Sequence, residues 1–275
     1  MPPILTSQRN SDLMEKIGLS GLYRKFSHDL VERLHPGDSL LYDITSIPSY
    51  SSLDIFEYGH AKDHHDLEQV NLSMVMERDR RVPLFLEMNS GSIPDMVTLR
   101  RTMDRVKPMI PGIDIILDRG FFSMNNLKIL GGMRYITAAR DNAISAAENR
   151  MGRILMVYMG DYSGSGCLII YRQRGAIEKA FRPLKTDLDI FPPRNHKEPT
   201  IRGILFVFFI SLIIRSALPR GMESSGLLKK YSLERMILEL EKLHVMEDQN
   251  GNLKELERTK RQKDILEALE GISWW

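Results

Sequence analysis

The chain has a single cysteine, Cys167, among 275 residues, so no internal disulfide can staple it and a small disulfide scaffold is excluded. A charged-then-apolar leader is missing from its start as well, and together these absences lead us to expect a reducing, cytoplasmic setting. Long apolar runs are lacking: the longest, Ile204 to Ile214, covers eleven residues, whereas a helix crossing a bilayer needs about 20. The stretch reads as a buried helix, and no membrane partner is expected. Nor is there a strong excess of charge of either sign. A net charge of +2 does not mark the whole surface as a binder of nucleic acid, so any DNA-binding surface must be local. Internal repeats and low-complexity tracts are absent too. What is there is 43% hydrophobic residues, enough to bury a sizeable core in one large domain with appendages.

Leu13, Ile17 and Leu22 fall at helical spacing within a short lead-in, residues 1–38, that ends at the turn Pro36-Gly37-Asp38. From Ser39, LLYDITSI is an apolar-rich strand with Asp43 at its centre, and it ends at Pro48. Residues 49–68, rich in Ser, His and Asp, follow neither period and read as a loop. Val70 to Met76 and Val82 to Met88 flank the charged turn Glu77 to Arg81 as a hairpin. Met96, Val97, Met103 and Val106 predict a helix near 94–107, opened by Pro94. Ile113 to Leu117 is a short buried strand closing on Asp118, Ser123 suits the N-cap of a helix through Leu130, and Tyr135 to Ala139 gives a further strand.

With a helix still to come after Tyr171, this order matches a ribonuclease H-like α/β fold over residues 39–220, a mixed five-stranded sheet flanked by helices. A small C-terminal extension, residues 221–275, is expected to be helix, hairpin and helix. Ser232 caps a helix bearing Leu233, Met236, Ile237, Leu240 and Leu243, Asn250-Gly251 is a hairpin turn, and a last helix covers Lys260 to Leu269.

Three acidic residues stand out within this frame. Asp43 lies inside an apolar strand, where a charge is costly unless paired or ligated, although an aspartate at a strand edge would look the same. Asp118 ends its strand before Arg119-Gly120, where open α/β sheets place their sites, and it suits a turn equally well. The third sits in YRQRGAIEKAFRPLK. Treated as one helix at about 100° per residue, Tyr171, Arg174, Glu178 and Lys185 share a stripe about 60° wide. Ile177, Phe181, Leu184 and Leu188 form an apolar stripe beside it, so one face can pack on a sheet while the flank meets a substrate. The plain alternative is an amphipathic helix with a solvated charged side. Pro183 is expected to kink the last turn and shift Lys185. The charge around Glu178 is basic, from Arg172, Arg174, Lys179, Arg182 and Lys185, which suits a phosphate backbone.

Crowded carboxylates repel, by roughly 4 kcal/mol for a pair about 4 Å apart at an effective dielectric near 20. They make chemical sense around hard divalent cations. Two such ions about 3.5–4 Å apart stabilise both the attacking and the leaving oxygen of a phosphodiester displacement.

The spacing of Tyr171, Arg174, Glu178 and Lys185 resembles the Tyr-Arg-Glu-Lys signature of DDE transposases from prokaryotic insertion sequences. YDITSI around Asp43 and ILDRGFFS around Asp118 are similar to that family's first and second aspartate motifs, in the same order. The likeness runs from about Leu41 to the C-terminus and takes in Gly203-Ile204-Leu205-Phe206-Val207. It implies a ribonuclease H-like fold and a transposase that cleaves and transfers DNA strands with Mg²⁺ or Mn²⁺, two ions together. Asp43, Asp118 and Glu178 would be its catalytic metal ligands. Tyr171, Arg174 and Lys185 would hold DNA phosphates, joined by Arg182 from the same basic helix. The implied partners are insertion-sequence ends and target DNA, with a homo-oligomer acting during catalysis.

The chain also departs from that pattern. Only 59 residues separate Asp118 from Glu178, leaving little room for the β insertion that many relatives carry there. Tyr158 and Tyr162 are the aromatics between Asp141 and Ile170, and the 42 residues before Asp43 are few for a domain that reads the element's ends. These departures predict a shortened transposase. The alternatives are a catalytically impaired remnant that binds DNA non-specifically, and a ribonuclease H-like nuclease with another role. His60, Asp63, His64, His65 and Asp66 raise the thought of zinc, because His60 and His64 have i, i+4 spacing. The stretch reads as loop and has no nearby cysteine, so a solvated or DNA-facing loop is the expectation.

Overall fold

A computed structural model describes residues 6–37, 39–48, 53–59, 67–139, 154–186, 197–247 and 253–270. The expected strands form as β1 (Ser39–Pro48), β2 (Gln69–Glu77), β3 (Pro83–Ser90), β4 (Asp114–Leu117) and β5 (Tyr135–Ala138). They lie in the order β3-β2-β1-β4-β5, with β1 antiparallel to β2 and parallel to β4. β2 and β3 pair antiparallel, and β4 and β5 pair parallel. This is the mixed, helix-flanked sheet of the ribonuclease H-like class. β2 and β4 are buried along their whole length, and Leu40, Leu41 and Tyr42 of β1 are fully buried. Strands covered on both faces read as near-continuous apolar runs, which is why they were legible.

The count of five strands needs correcting. A sixth, β6 (Met156–Met159), pairs antiparallel with β5, Thr137 opposite Val157, and closes that side of the sheet. Its sequence, MVYM, is short and half-exposed, so it shows neither a buried run nor a clean alternation.

Contacts divide the chain into two compact units, one of Asp12–Ile210 and one of Met1–Ser11 with Ser211–Trp275. In the larger unit the lead-in's single helical pattern proves to be two helices. α1 (Ser7–Leu19) stops before Gly21, whose φ of 67° is left-handed, and α2 (Leu22–Leu34) begins after it. α3 (Asp95–Met109) buries Leu99, Met103 and Val106, and α4 (Met124–Ile129) starts at Ser123, whose hydroxyl accepts from the Asn126 amide at 3.1 Å. Residues 53–59 have little regular structure, but Glu57 anchors them to the end of β3. Its carboxylate accepts from the hydroxyls of Ser90 and Ser92 and from the Ser92 amide, which hold its pKa below the usual value. His60, Asp63, His64, His65 and Asp66 lie outside the described residues.

The eleven-residue apolar stretch lies within a much longer helix, α7 (Glu198–Ser224), of 27 residues. By length and composition alone α7 could cross a bilayer, yet half of its most apolar window is buried in the fold. Ile201, Leu205, Phe206 and Phe209 supply that buried face in the larger unit. Tyr23 and Phe26 of α2 meet Phe206 and Phe209 edge-on, with ring centroids 5.5–6.1 Å apart. α1 crosses α7 so closely that a Cβ on Gly18 or Gly203 would overlap the backbone carbonyl of Pro199 or Met14.

In the smaller unit Met222, Leu227, Met236 and Ile265 form a core ringed by Tyr231, Leu233, Leu240 and Leu269. α8 (Leu233–Leu240) is capped by Ser232, which accepts from the Arg235 amide at 3.2 Å. β7 (Val245–Glu247) and β8 (Leu253–Glu255) pair antiparallel, and α9 (Lys260–Glu270) follows. The Asn250-Gly251 turn itself lies outside the described residues.

Candidate active site

Strand register brings two aspartates side by side. Tyr42 of β1 is the partner of Leu117 of β4 in a parallel ladder, so Asp43 and Asp118 are the positions that follow on the two neighbouring chain segments. Alternation along β1 sends the Tyr42 ring to one face, where it meets Phe121 at 5.3 Å, and Asp43 to the other. Asp43 is half-buried, and its Oδ1 accepts from the Ile44 amide at 2.9 Å.

Asp118 takes the turn position that its sequence suits. It caps a 3-10 turn at Arg119–Phe121, its Oδ2 accepting from the Gly120 amide at 3.3 Å. Its carbonyl accepts from the Thr137 hydroxyl of β5 at 3.2 Å, which ties the strand end down. The same carboxylate faces the residues that arrive from the helices.

Those residues do not lie on one continuous helix, and the stripe expected from YRQRGAIEKAFRPLK is corrected here. α5 (Gly164–Arg172) begins at Ser163, whose hydroxyl accepts from the Gly166 amide at 3.1 Å, and carries Tyr171 in its last turn. The chain then tightens through three-residue steps, Arg174 amide to Tyr171 carbonyl and Ile177 amide to Arg174 carbonyl, before α6 (Gly175–Thr186) begins. Gly175 is the first residue of α6 at this break, a residue type that weakens a helix interior by about 0.5–1 kcal/mol relative to alanine. α6 packs on β1 through the fully buried Ile177 and the nearly buried Phe181. It continues through Pro183 to Thr186, so Lys185 shares its helix with Glu178, and Arg182 is exposed one turn beyond Glu178.

The break gives Arg174 its position. Its guanidinium lies over the Tyr171 ring, 5.0 Å from the centroid. One nitrogen, Nη1, pairs with Asp118 Oδ1, and the other, Nη2, lies 3.2 Å from Glu178 Oε1. Tyr171 is largely buried, and its hydroxyl donates to Asp118 Oδ1 at 3.5 Å. Burial pushes the phenol's pKa up and the Glu178 charge adds to this, while the backbone and charge of Arg119 partly offset it. Tyr171 is therefore a neutral donor at physiological pH. Arg119 is a cation at the site that was read from sequence only as part of a turn; its adjacency to Asp118 was the available signal.

The donor set suits a divalent cation: three hard carboxylates from three chain segments, with an internal cation now between two of them. Among the described residues, His28, Asp29 and Glu32 on α2 are the set whose ligand atoms all lie within 4.8 Å of one another, and they are exposed. Asp43, Asp118 and Glu178 do not close to that distance with the Arg174 guanidinium in place.

The sheet order and its mixed pairing define an α/β protein of the ribonuclease H-like class. The transposase DDE domain profile matches residues 35–213, more than half of the chain, and the chain belongs to that family. DDE transposases as a family use divalent metal ions. No curated protein matches the chain significantly. Among solved structures, a piggyBac transposase synaptic complex with hairpin DNA is 11% identical at a TM-score of 0.43, with 91% of this chain and 58% of that chain covered. The Mos1 transposase paired-end complex with left transposon end gives 10% and 0.25, covering 78% of this chain and 64% of that one. The Drosophila P element transposase strand transfer complex gives 12% and 0.25, covering 98% and 80%. At these scores the three likenesses add nothing to the topology described above. The chain spans 58% of the length of the piggyBac transposase chain.

Proposed function

We propose that this chain cleaves DNA strands and transfers them as a transposase, with Asp43, Asp118 and Glu178 holding two Mg²⁺ or Mn²⁺ ions. The observation that carries this reading is the Arg174 bridge. One guanidinium spans Asp118 at a strand end and Glu178 on a helix, with Asp43 beside Asp118 by register. Carboxylates converging from three distant segments against their mutual repulsion are explained by a cation they share. Bound there, divalent ions would supply charge stabilisation to the attacking and leaving oxygens of the scissile phosphodiester.

In cleavage, water attacks the phosphorus and the 3'-oxygen leaves. In transfer, that 3'-hydroxyl attacks a target phosphodiester and displaces another 3'-oxygen. The chain's own part is to position. The fixed strand ends set the distance between the aspartates, and Tyr171, Arg174, Arg182 and Lys185 contact phosphates beside the cut, Arg174 through a two-pronged contact. Insertion-sequence ends and target DNA are the substrates, and a homo-oligomer brings two ends together.

The test is nicking of supercoiled plasmid with Mn²⁺ or Mg²⁺ by the wild type and by Asp43→Asn, Asp118→Asn and Glu178→Gln. Each substitution should reduce nicking at least about a thousandfold while the protein stays folded, the scale on which losing a transition-state charge stabiliser is felt. Nicking that survives all three changes would overturn the assignment. DNA binding by the wild type without any nicking would favour the non-catalytic remnant instead.

A further inference from the structure

Arg174 stands where its charge and a metal ion compete. It contacts two of the three carboxylates from a two-residue link between helices, and it rests on the Tyr171 ring rather than being buried under other side chains. Its side chain keeps 23% of its surface exposed and Asp118 keeps 24%, so the pair has a solvent route by which to open. A guanidinium in this position neutralises the two carboxylates and occupies the space between them.

Resting on the reading of those carboxylates as a metal site, we infer that Arg174 is an internal counter-ion exchanged for metal. In the metal-free protein it latches Asp118 to Glu178. When a divalent cation takes the carboxylates, the guanidinium is repelled from them and released, still on its tyrosine shelf, to a DNA phosphate. The chain thus trades one cation for another at the same oxygens, and its phosphate-binding capacity rises as the metal enters. Tyr171 serves both states, as donor to Asp118 and as the surface over which Arg174 turns. Lysine could carry the charge but not the fork that spans two carboxylates at once.

The experiment uses Mn²⁺ alone, without DNA, and reads its dissociation constant by calorimetry for the wild type, Arg174→Ala, Arg174→Gln and Arg174→Lys, with circular dichroism to confirm folding. Removing a competing cation should tighten Mn²⁺ binding about tenfold in the Ala and Gln variants, about the effect of losing two partly exposed charged contacts. The Lys variant should fall between them and the wild type. A second readout is the salt dependence of binding to a short duplex. Adding Mn²⁺ should steepen the wild-type slope by about one phosphate contact, roughly 0.9 in the logarithmic slope, and leave the Ala variant's slope unchanged. Equal or weaker Mn²⁺ binding in the Ala and Gln variants would overturn the exchange while leaving the metal site standing. No Mn²⁺ binding by any protein, wild type included, would overturn both the exchange and the metal-site reading beneath it.

Discussion

The acidic centre is supplied by two kinds of structure, and they differ in how firmly they hold what they carry. Asp43 and Asp118 sit on adjacent central strands whose neighbours are fully buried, with Leu40, Leu41, Ile115 and Ile116 at 0% exposure. Their spacing is set by a hydrogen-bond ladder that many other residues also maintain. Glu178 and Arg174 hang from a helix break, and Ile177 and Phe181 are the buried side chains by which the described part of α6 grips β1. The Glu178 side chain is 53% exposed, against 24% for Asp118. The strand half is held by many buried neighbours and the helix half by few.

The largest test of this contrast is a pair of cavity substitutions. Leu41→Ala should cost about 2–5 kcal/mol and lower the stability of the whole domain in one cooperative step. Phe181→Ala removes a still larger side chain, yet amide hydrogen exchange should quicken mainly in α6 while β1 and β4 stay protected. Uniform loss of protection in both variants would show that the two halves are one unit.

Tyr171 sharpens the comparison at smaller scale, since it joins the helix half to Asp118. Tyr171→Phe should cost about 0.5–1.5 kcal/mol at neutral pH, toward the low end because the hydrogen bond is long. The effect has a signed pH dependence. The folded-state pKa is raised above the ordinary value of about 10, so the wild type's advantage is complete below that value and is lost as pH rises through the folded pKa. Urea melts of both proteins between pH 8 and about 11 check this, and the advantage should shrink at the alkaline end. A growing advantage would contradict the assignment of Tyr171 as a neutral donor.

The smallest expected effect is at Gly175, where a Cβ would meet nothing within 4 Å. Gly175→Ala should stabilise the protein by up to about 1 kcal/mol through the unfolded state and helix propensity. A lower urea midpoint would mean that the break between the helices depends on glycine itself.

Much of the strand half was legible from sequence, and the reason is physical. Leu40 to Tyr42 of LLYDITSI and Ile113 to Leu117 are buried, so their apolar runs announce strands. Ser123 and Ser232 announce caps because their hydroxyls accept from amides three residues on. The helix half was harder. Gly175 and Gly21 each marked a helix break, but an even spacing of functional or apolar residues ran across both and favoured a single helix. β6 escaped because an edge strand with exposed residues carries no buried run. The contact of Arg174 with Glu178 has an i, i+4 spacing that sequence shows, but its contact with Asp118 was not readable: Asp118 is 56 positions away in sequence, and only the fold brings a flexible side chain within reach of it.

The pairing of α1 and α2 with the first part of α7 also sets a schedule for making the protein. Lys197 meets Glu15 from 182 positions away, and Tyr23 and Phe26 wait for Phe206 and Phe209. At about 5–20 residues per second, a ribosome needs roughly 10–40 s to deliver those partners. Until then the aromatic face of α2 lacks the rings it packs against in the finished fold. The larger unit therefore cannot complete its helical packing until Phe206 and Phe209 have followed α2 out of the ribosome.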